Sequence, residues 1–129
     1  MNYLFICKHN LARSAMAEAF FRHYYPKHSA KSAGVKTISQ GDTLPMDVWS
    51  ALQEKGIDFK NHRTMQLSER LVDEADKIIT LCEEDLCPQY LLNSKKNEFW
   101  PVRDPVNGYN SIIYAREVIE QKIKELGLK

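Results

Sequence analysis

Cys7-Lys8-His9-Asn10-Leu11-Ala12-Arg13-Ser14 brings a thiol, a guanidinium and a hydroxyl into one short segment. A thiolate is a strong nucleophile, and an arginine six positions later can fork two N–H bonds onto two oxygens of a tetrahedral anion. Backbone N–H groups of the loop between them, together with the start of a following helix, add partial positive charge at the same place. That field favours thiolate over thiol at Cys7, which is then the attacking group. The same residues have a plain structural use, because cysteine is often simply a small buried side chain. The apolar run Tyr3-Leu4-Phe5-Ile6 before the segment and Ala15-Met16-Ala17-Glu18-Ala19-Phe20 after it favour the chemical reading. They make a strand-to-helix turn, the context an anion loop needs.

Two further groups can serve that nucleophile. Asp104, in Arg103-Asp104-Pro105-Val106-Asn107-Gly108, follows a strand candidate and leads to the last helix. Loops at the carboxyl ends of parallel strands line the ligand crevice, so Asp104 can face Cys7 and move a proton to a leaving oxygen. Asp-Pro is equally suited to begin a turn or cap a helix. Cys82 and Cys87 flank the acidic run Glu83-Glu84-Asp85. If the strands that end near Cys7 and Cys82 are neighbours about 4.8 Å apart, the two sulfurs come within bonding reach. Five residues of α-helix would hold Cys82 and Cys87 about 7.5 Å apart, so pairing them requires irregular backbone.

The positioning elements follow from periodicity. Residues 2–6 read as a buried strand, 14–25 as a helix, 28–35 as a second strand, and 76–81 as a third, with Ile78-Ile79-Thr80-Leu81 at its centre. Residues 98–102 make a fourth strand candidate. Pro45 suits a first helical turn with Val48 and Leu52 inward and Gly56 as its stop, and Ser68 can cap a short helix through Ala75. Ile112, Ile119, Ile123 and Leu126 mark a helix over 111–126. Strands alternating with helices imply an α/β sandwich, a parallel sheet covered on both faces.

Composition narrows the function classes. A chain of 129 residues with 43% hydrophobic and 27% charged residues reads as one folded domain, residues 1–129. A formal charge of +1 gives no broad field for nucleic acid or an anionic membrane, so any anion site is local. No apolar run reaches membrane-spanning length, and a cytoplasmic protein is expected. Three cysteines cannot form a closed disulfide framework, and Cys82 and Cys87 lack zinc-knuckle spacing. Neither a dinucleotide fingerprint nor a Walker motif is present, so no cofactor is expected.

Together these segments resemble one superfamily, the low-molecular-weight protein tyrosine phosphatases and the thioredoxin-coupled arsenate reductases of the same fold. The resemblance runs nearly end to end through Cys7 to Ser14, Ser32-Ala33-Gly34, Asn61-His62-Arg63, Ile79-Thr80-Leu81-Cys82 and Asp104-Pro105. It implies a three-layer sandwich around a four-stranded parallel sheet in the order 2-1-3-4, which makes the Cys7 and Cys82 strands neighbours. His9 stands where the phosphatases usually have glycine, Ala12 where many carry a second cysteine, and Val106-Asn107 where aromatic residues commonly follow Asp-Pro. Cys82 and Cys87 fall where the reductases carry relay cysteines. The resemblance therefore implies reduction of arsenate to arsenite. Cys7, Arg13, Asp104, Cys82 and Cys87 would be catalytic, and Lys8, His9, Asn10, Leu11, Ala12, Arg13 and Ser14 would bind the oxyanion. A thioredoxin-type reductant is the implied partner of a monomer. Hydrolysis of phosphomonoesters through a phosphocysteine is the alternative. Some of those reductases also hold potassium. Asn10, Glu18 and Ser32 match three ligands, but Met65 replaces an expected aspartate, so no metal is expected.

Overall fold

In the structure, a computed structural model that describes residues 1–38 and 40–129, the first strand lies in the middle of the sheet. Strand β1 (Asn2–Cys7) pairs in parallel with β2 (Ser29–Gly34) on one side and β3 (Lys77–Thr80) on the other, and β4 (Asn97–Phe99) extends the sheet beyond β3. The order is thus 2-1-3-4, as expected. A central parallel strand is covered on both faces, which is why Tyr3 to Cys7 reads as an unbroken apolar run.

Helices α1 (Arg13–Tyr24), α2 (Met46–Gln53) and α5 (Tyr109–Lys124) cover one face, with Phe5, Phe20, Phe21, Leu52, Ile79 and Ile119 in their shared core. Fully burying side chains of this size stabilises the fold by about 1.5–3 kcal/mol each before chain entropy is counted. The other face carries Leu4, Ile6, Val72, Ile78 and Leu91 beneath two short helices, α3 (Glu69–Glu74) and α4 (Gln89–Leu92). Ser68 caps α3 as expected, its Oγ accepting from the Leu71 N–H at 3.3 Å.

Three expectations need adjustment. The fourth strand ends at Phe99 rather than at residue 102, because Pro101 has no N–H to continue the ladder. Trp100 and Val102 still donate single bonds to Thr80 O and Leu81 O. Helix α5 starts at Tyr109, and Ser111 lies inside its first turn with Oγ donating to Gly108 O at 2.6 Å. Helix α4 has no counterpart in the sequence reading, since four residues are too few to show a period. No helix among the described residues is long and apolar enough to cross a membrane.

Candidate active site

The carboxyl ends of β1 and β3 place the chemistry. Ile6 and Thr80 are register partners, so Cys7 closes β1 while Leu81 and Cys82 follow directly from β3 on the adjacent track. The Cys7 thiol is buried. Its Sγ lies 3.0 Å from Ser14 Oγ and accepts from the Asn10 N–H at 3.3 Å. Helix α1 begins at Arg13, one residue earlier than predicted, with Ala12 as its N-cap. Ala12 has no capping side chain and the first turn has no acidic residue. Backbone N–H groups at a helix start are suited to binding an anion.

Asn10 shapes the loop. It is fully buried and adopts a left-handed backbone conformation, φ 62°, which asparagine tolerates better than most residues. Its side chain does not point to the cleft. Asn10 Nδ2 donates to Ser14 Oγ at 2.8 Å and Ser32 Oγ at 2.9 Å, and Asn10 Oδ1 accepts from the Met65 N–H at 3.0 Å. Ser32 Oγ in turn donates to Glu18 Oε1 at 2.6 Å. Asn10 Oδ1, Ser32 Oγ and Glu18 Oε1 are the side-chain oxygens of this network. Met65 offers no side-chain oxygen, so the set does not fit a potassium ion. Beside Glu18 lies His62, 3.8 Å away at Nδ1 and stacked on Phe59, with no hydrogen-bond partner for Nε2 among the described residues. Burial pushes the His62 pKa below its ordinary value, against the opposing pull of Glu18 and the Asn10 backbone.

Gly34 permits this arrangement. A Cβ there would lie 2.7 Å from the His9 carbonyl carbon and 2.9 Å from the Asn10 nitrogen. His9 itself ties the loop to the 34–37 turn, Nδ1 donating to Lys36 O at 2.7 Å.

Arg13 is only 2% exposed. One end of its guanidinium is committed to the scaffold, Nη1 donating to Val102 O at 3.0 Å and Leu81 O at 3.3 Å. Two carboxylates neutralise it. Asp104 Oδ1 lies 3.8 Å from Nη2, and Glu83 Oε1 lies 3.8 Å from Nη1. Cys7, Lys8, His9, Leu11, Ala12, Arg13 and Asp104 line one cleft of about 440 Å³, whose opposite wall is Pro45, Asp47, Val48, Val106 and Ile112. A cavity of about 480 Å³ lies at the amino ends of β1 and β2, between Asn2, Ser29 and Ala75, and has no thiol in its walls.

The other two thiols lie in the segment that follows β3. Cys82 is buried beside Cys7, and burial with the nearby Cys87 and Cys7 sulfurs pushes its pKa up to about 12. Cys87 is half-buried, and its Sγ donates to Glu83 O at 3.7 Å. Burial and the carboxylates of Glu84, Asp85 and Glu83 raise its pKa as well, while the Cys82 thiol beside it acts in the opposite sense. Between the two cysteines runs a single 3-10 turn, Glu84–Leu86, so the segment is not the α-helical spacer that would separate them.

The structure thus brings Cys7, Arg13 and Asp104 to one cleft, while Cys82 is buried and Cys87 half-buried in the segment that follows β3. Glu83 was missed in the sequence because an acidic residue in an acidic run reads as a solvated face. Its contact with Arg13 spans 70 positions (13 to 83) and leaves no local pattern.

Known proteins place the chain. It is 32% identical over 125 residues to arsenate reductase 2 of Staphylococcus saprophyticus, covering 94% of this chain and 92% of that one. It is 34% identical over 129 residues to an arsenate reductase of Staphylococcus xylosus, covering 97% and 95%. The low molecular weight protein tyrosine phosphatase of T. tengcongensis superposes with a TM-score of 0.86 at 25% identity over 98% of this chain and 97% of that one. Residues 2–128 match the low molecular weight phosphotyrosine protein phosphatase family, and the chain belongs to it.

Proposed function

We propose that this enzyme reduces arsenate to arsenite through a relay of its three thiols. The observation that carries the reading is the row Cys7, Cys82, Cys87, all free, running from the anion loop to a half-exposed turn. A phosphatase needs only the first of them.

The Cys7 thiolate attacks the arsenic of a bound arsenate while Arg13 and the loop N–H groups hold its oxygens. Ser14 hydrogen-bonds to the thiolate, and Asp104 helps protonate the oxygen that leaves as water. Cys82 then attacks Cys7 Sγ. The electron pair of the sulfur–arsenic bond passes to arsenic, As(V) becomes As(III), arsenite departs and a Cys7–Cys82 disulfide remains. Cys87 attacks Cys82 in turn, releasing Cys7 and leaving a Cys82–Cys87 disulfide for an external dithiol of the thioredoxin type. The high Cys82 pKa keeps that thiol protonated in the resting site, and its proton passes to an oxygen of the departing arsenite as the Cys7–Cys82 bond forms.

Phosphomonoester hydrolysis is the second reading, favoured by Asp104 and Arg13 on the same cleft as Cys7. Phosphate has the shape and charge of arsenate, and water can resolve a phosphocysteine. The test is arsenate-dependent NADPH oxidation with thioredoxin and thioredoxin reductase. Robust consumption that Cys82→Ser abolishes supports the relay. No consumption with a competent reductant leaves hydrolysis as the function.

A further inference from the structure

Arg13 needs counter-charge because its guanidinium is buried, and two carboxylates share that task. Asp104 has a place in the reaction; Glu83 has none in the relay as written. Yet Glu83 touches both halves of the machinery. Its carboxylate lies 3.8 Å from Arg13 Nη1, and its main-chain carbonyl accepts the Cys87 thiol at 3.7 Å. It also follows Cys82 directly in the chain.

We propose that Glu83 is a positioning residue that couples oxyanion occupancy at Arg13 to the freedom of the Cys82–Cys87 segment. In the empty site its carboxylate neutralises Arg13, and its carbonyl holds the Cys87 thiol. An oxyanion arriving at Arg13 supplies that negative charge itself and repels the carboxylate. The Glu83 side chain is 58% exposed, so water solvates it once released, and an ion pair this exposed is weak enough to be displaced. Release of the side chain loosens the Glu83 backbone and the Cys87 contact made to it. The second and third thiols thereby become mobile after substrate is bound, when a disulfide between them is productive. The inference rests on the thiol-relay reading.

The experiment is site-resolved alkylation of the fully reduced protein by iodoacetamide, read by mass spectrometry, with and without saturating sulfate. Sulfate is a tetrahedral oxyanion that this chemistry does not reduce. Sulfate is expected to slow Cys7 alkylation and to speed Cys87 alkylation about three- to tenfold. In Glu83→Gln, Cys87 is expected to react at the faster rate from the outset and to ignore sulfate, while Glu83→Asp retains part of the response. A merely structural role for Glu83 predicts no sulfate dependence at Cys87. Protection of Cys7 with no change at Cys87, or an undiminished sulfate response in Glu83→Gln, overturns the coupling and leaves the oxyanion site standing. Failure of sulfate to protect Cys7 removes that site and the coupling with it.

Discussion

Replacing Gly34 by alanine tests whether the anion loop is held by close backbone packing. The added Cβ would sit 2.7 Å from the His9 carbonyl carbon and 2.9 Å from both Asn10 N and Thr37 Cγ2. Ordinary van der Waals contact begins near 3.4 Å, so two backbone atoms must retreat by about half an ångström or more. Overpacking of this kind costs about 1–3 kcal/mol. For a chain of 129 residues that is a fall in Tm of about 3–12 °C. The retreat also shifts the Asn10 N–H relative to Cys7 Sγ, and displacement of a positioned group by up to 1 Å costs up to about 100-fold in rate. The assays are thermal unfolding and kcat/KM on arsenate or a phosphomonoester. Gly56→Ala is the control: φ is +75° there and nothing lies within 4 Å of the added Cβ. It is expected to cost about 1 kcal/mol of stability with activity unchanged. A Gly34→Ala protein with wild-type Tm and wild-type kcat/KM would falsify the packing argument.

Other outcomes follow from the same geometry. Cys87→Ser is expected to stop arsenate turnover after one cycle with a Cys7–Cys82 disulfide accumulated, detectable by non-reducing mass analysis; continued turnover at the wild-type rate contradicts the relay. Cys82, with its pKa raised from 9.0 to about 12, should present about a thousandfold less thiolate at pH 7 than an ordinary thiol, and its alkylation should rise about tenfold per pH unit to beyond pH 9. A plateau below pH 9 refutes that environment. Asp104→Asn is expected to lower phosphomonoester hydrolysis about 100-fold or more with little change in Tm, as measured with an aryl phosphate. The His62 side chain is buried with a pKa below the ordinary 6.5, so the unfolded chain binds its proton first as pH falls. Its stabilising contribution is present above about pH 6.5 and is lost as pH falls through the lower folded-state value. The fall in Tm between pH 7 and pH 5 should therefore be smaller in His62→Gln than in wild type.

Local pattern made the scaffold legible. The apolar run before Cys7, the Ile78-Ile79 strand and the Ile-spaced last helix each declare their period, and each lies within two residues of its expected bounds. The ends were less legible where one residue overrides the pattern, as Pro101 does to β4. In the site, Cys7 and Arg13 announce themselves because both lie on one loop. The bonds joining Asn10, Ser32, Glu18 and the Met65 backbone link the anion loop to α1, β2 and the loop before α3, and no spacing rule connects those segments. The Cys82–Cys87 separation was read through an α-helical rise. A 3-10 turn occupies that stretch, with Pro88 directly after Cys87.

The central position of β1 has a bearing on how the molecule is made. Tyr3 pairs with Ala30, 27 residues on, and with Lys77, 74 residues on (3 to 30 and 3 to 77). The strand that ends in Cys7 is synthesised before both of its neighbours. Pairings of such sequence separation carry a loop-closure cost that slows folding. Until β3 has docked, Arg13 lacks the Leu81 and Val102 carbonyls that fix its guanidinium. A chain that ends before Leu81 and Val102 therefore has Cys7 and its loop but neither of the carbonyls that fix Arg13 beside them. The guanidinium beside Cys7 is thus set by carbonyls 68 and 89 positions further along the chain, and its place depends on most of the sequence being present.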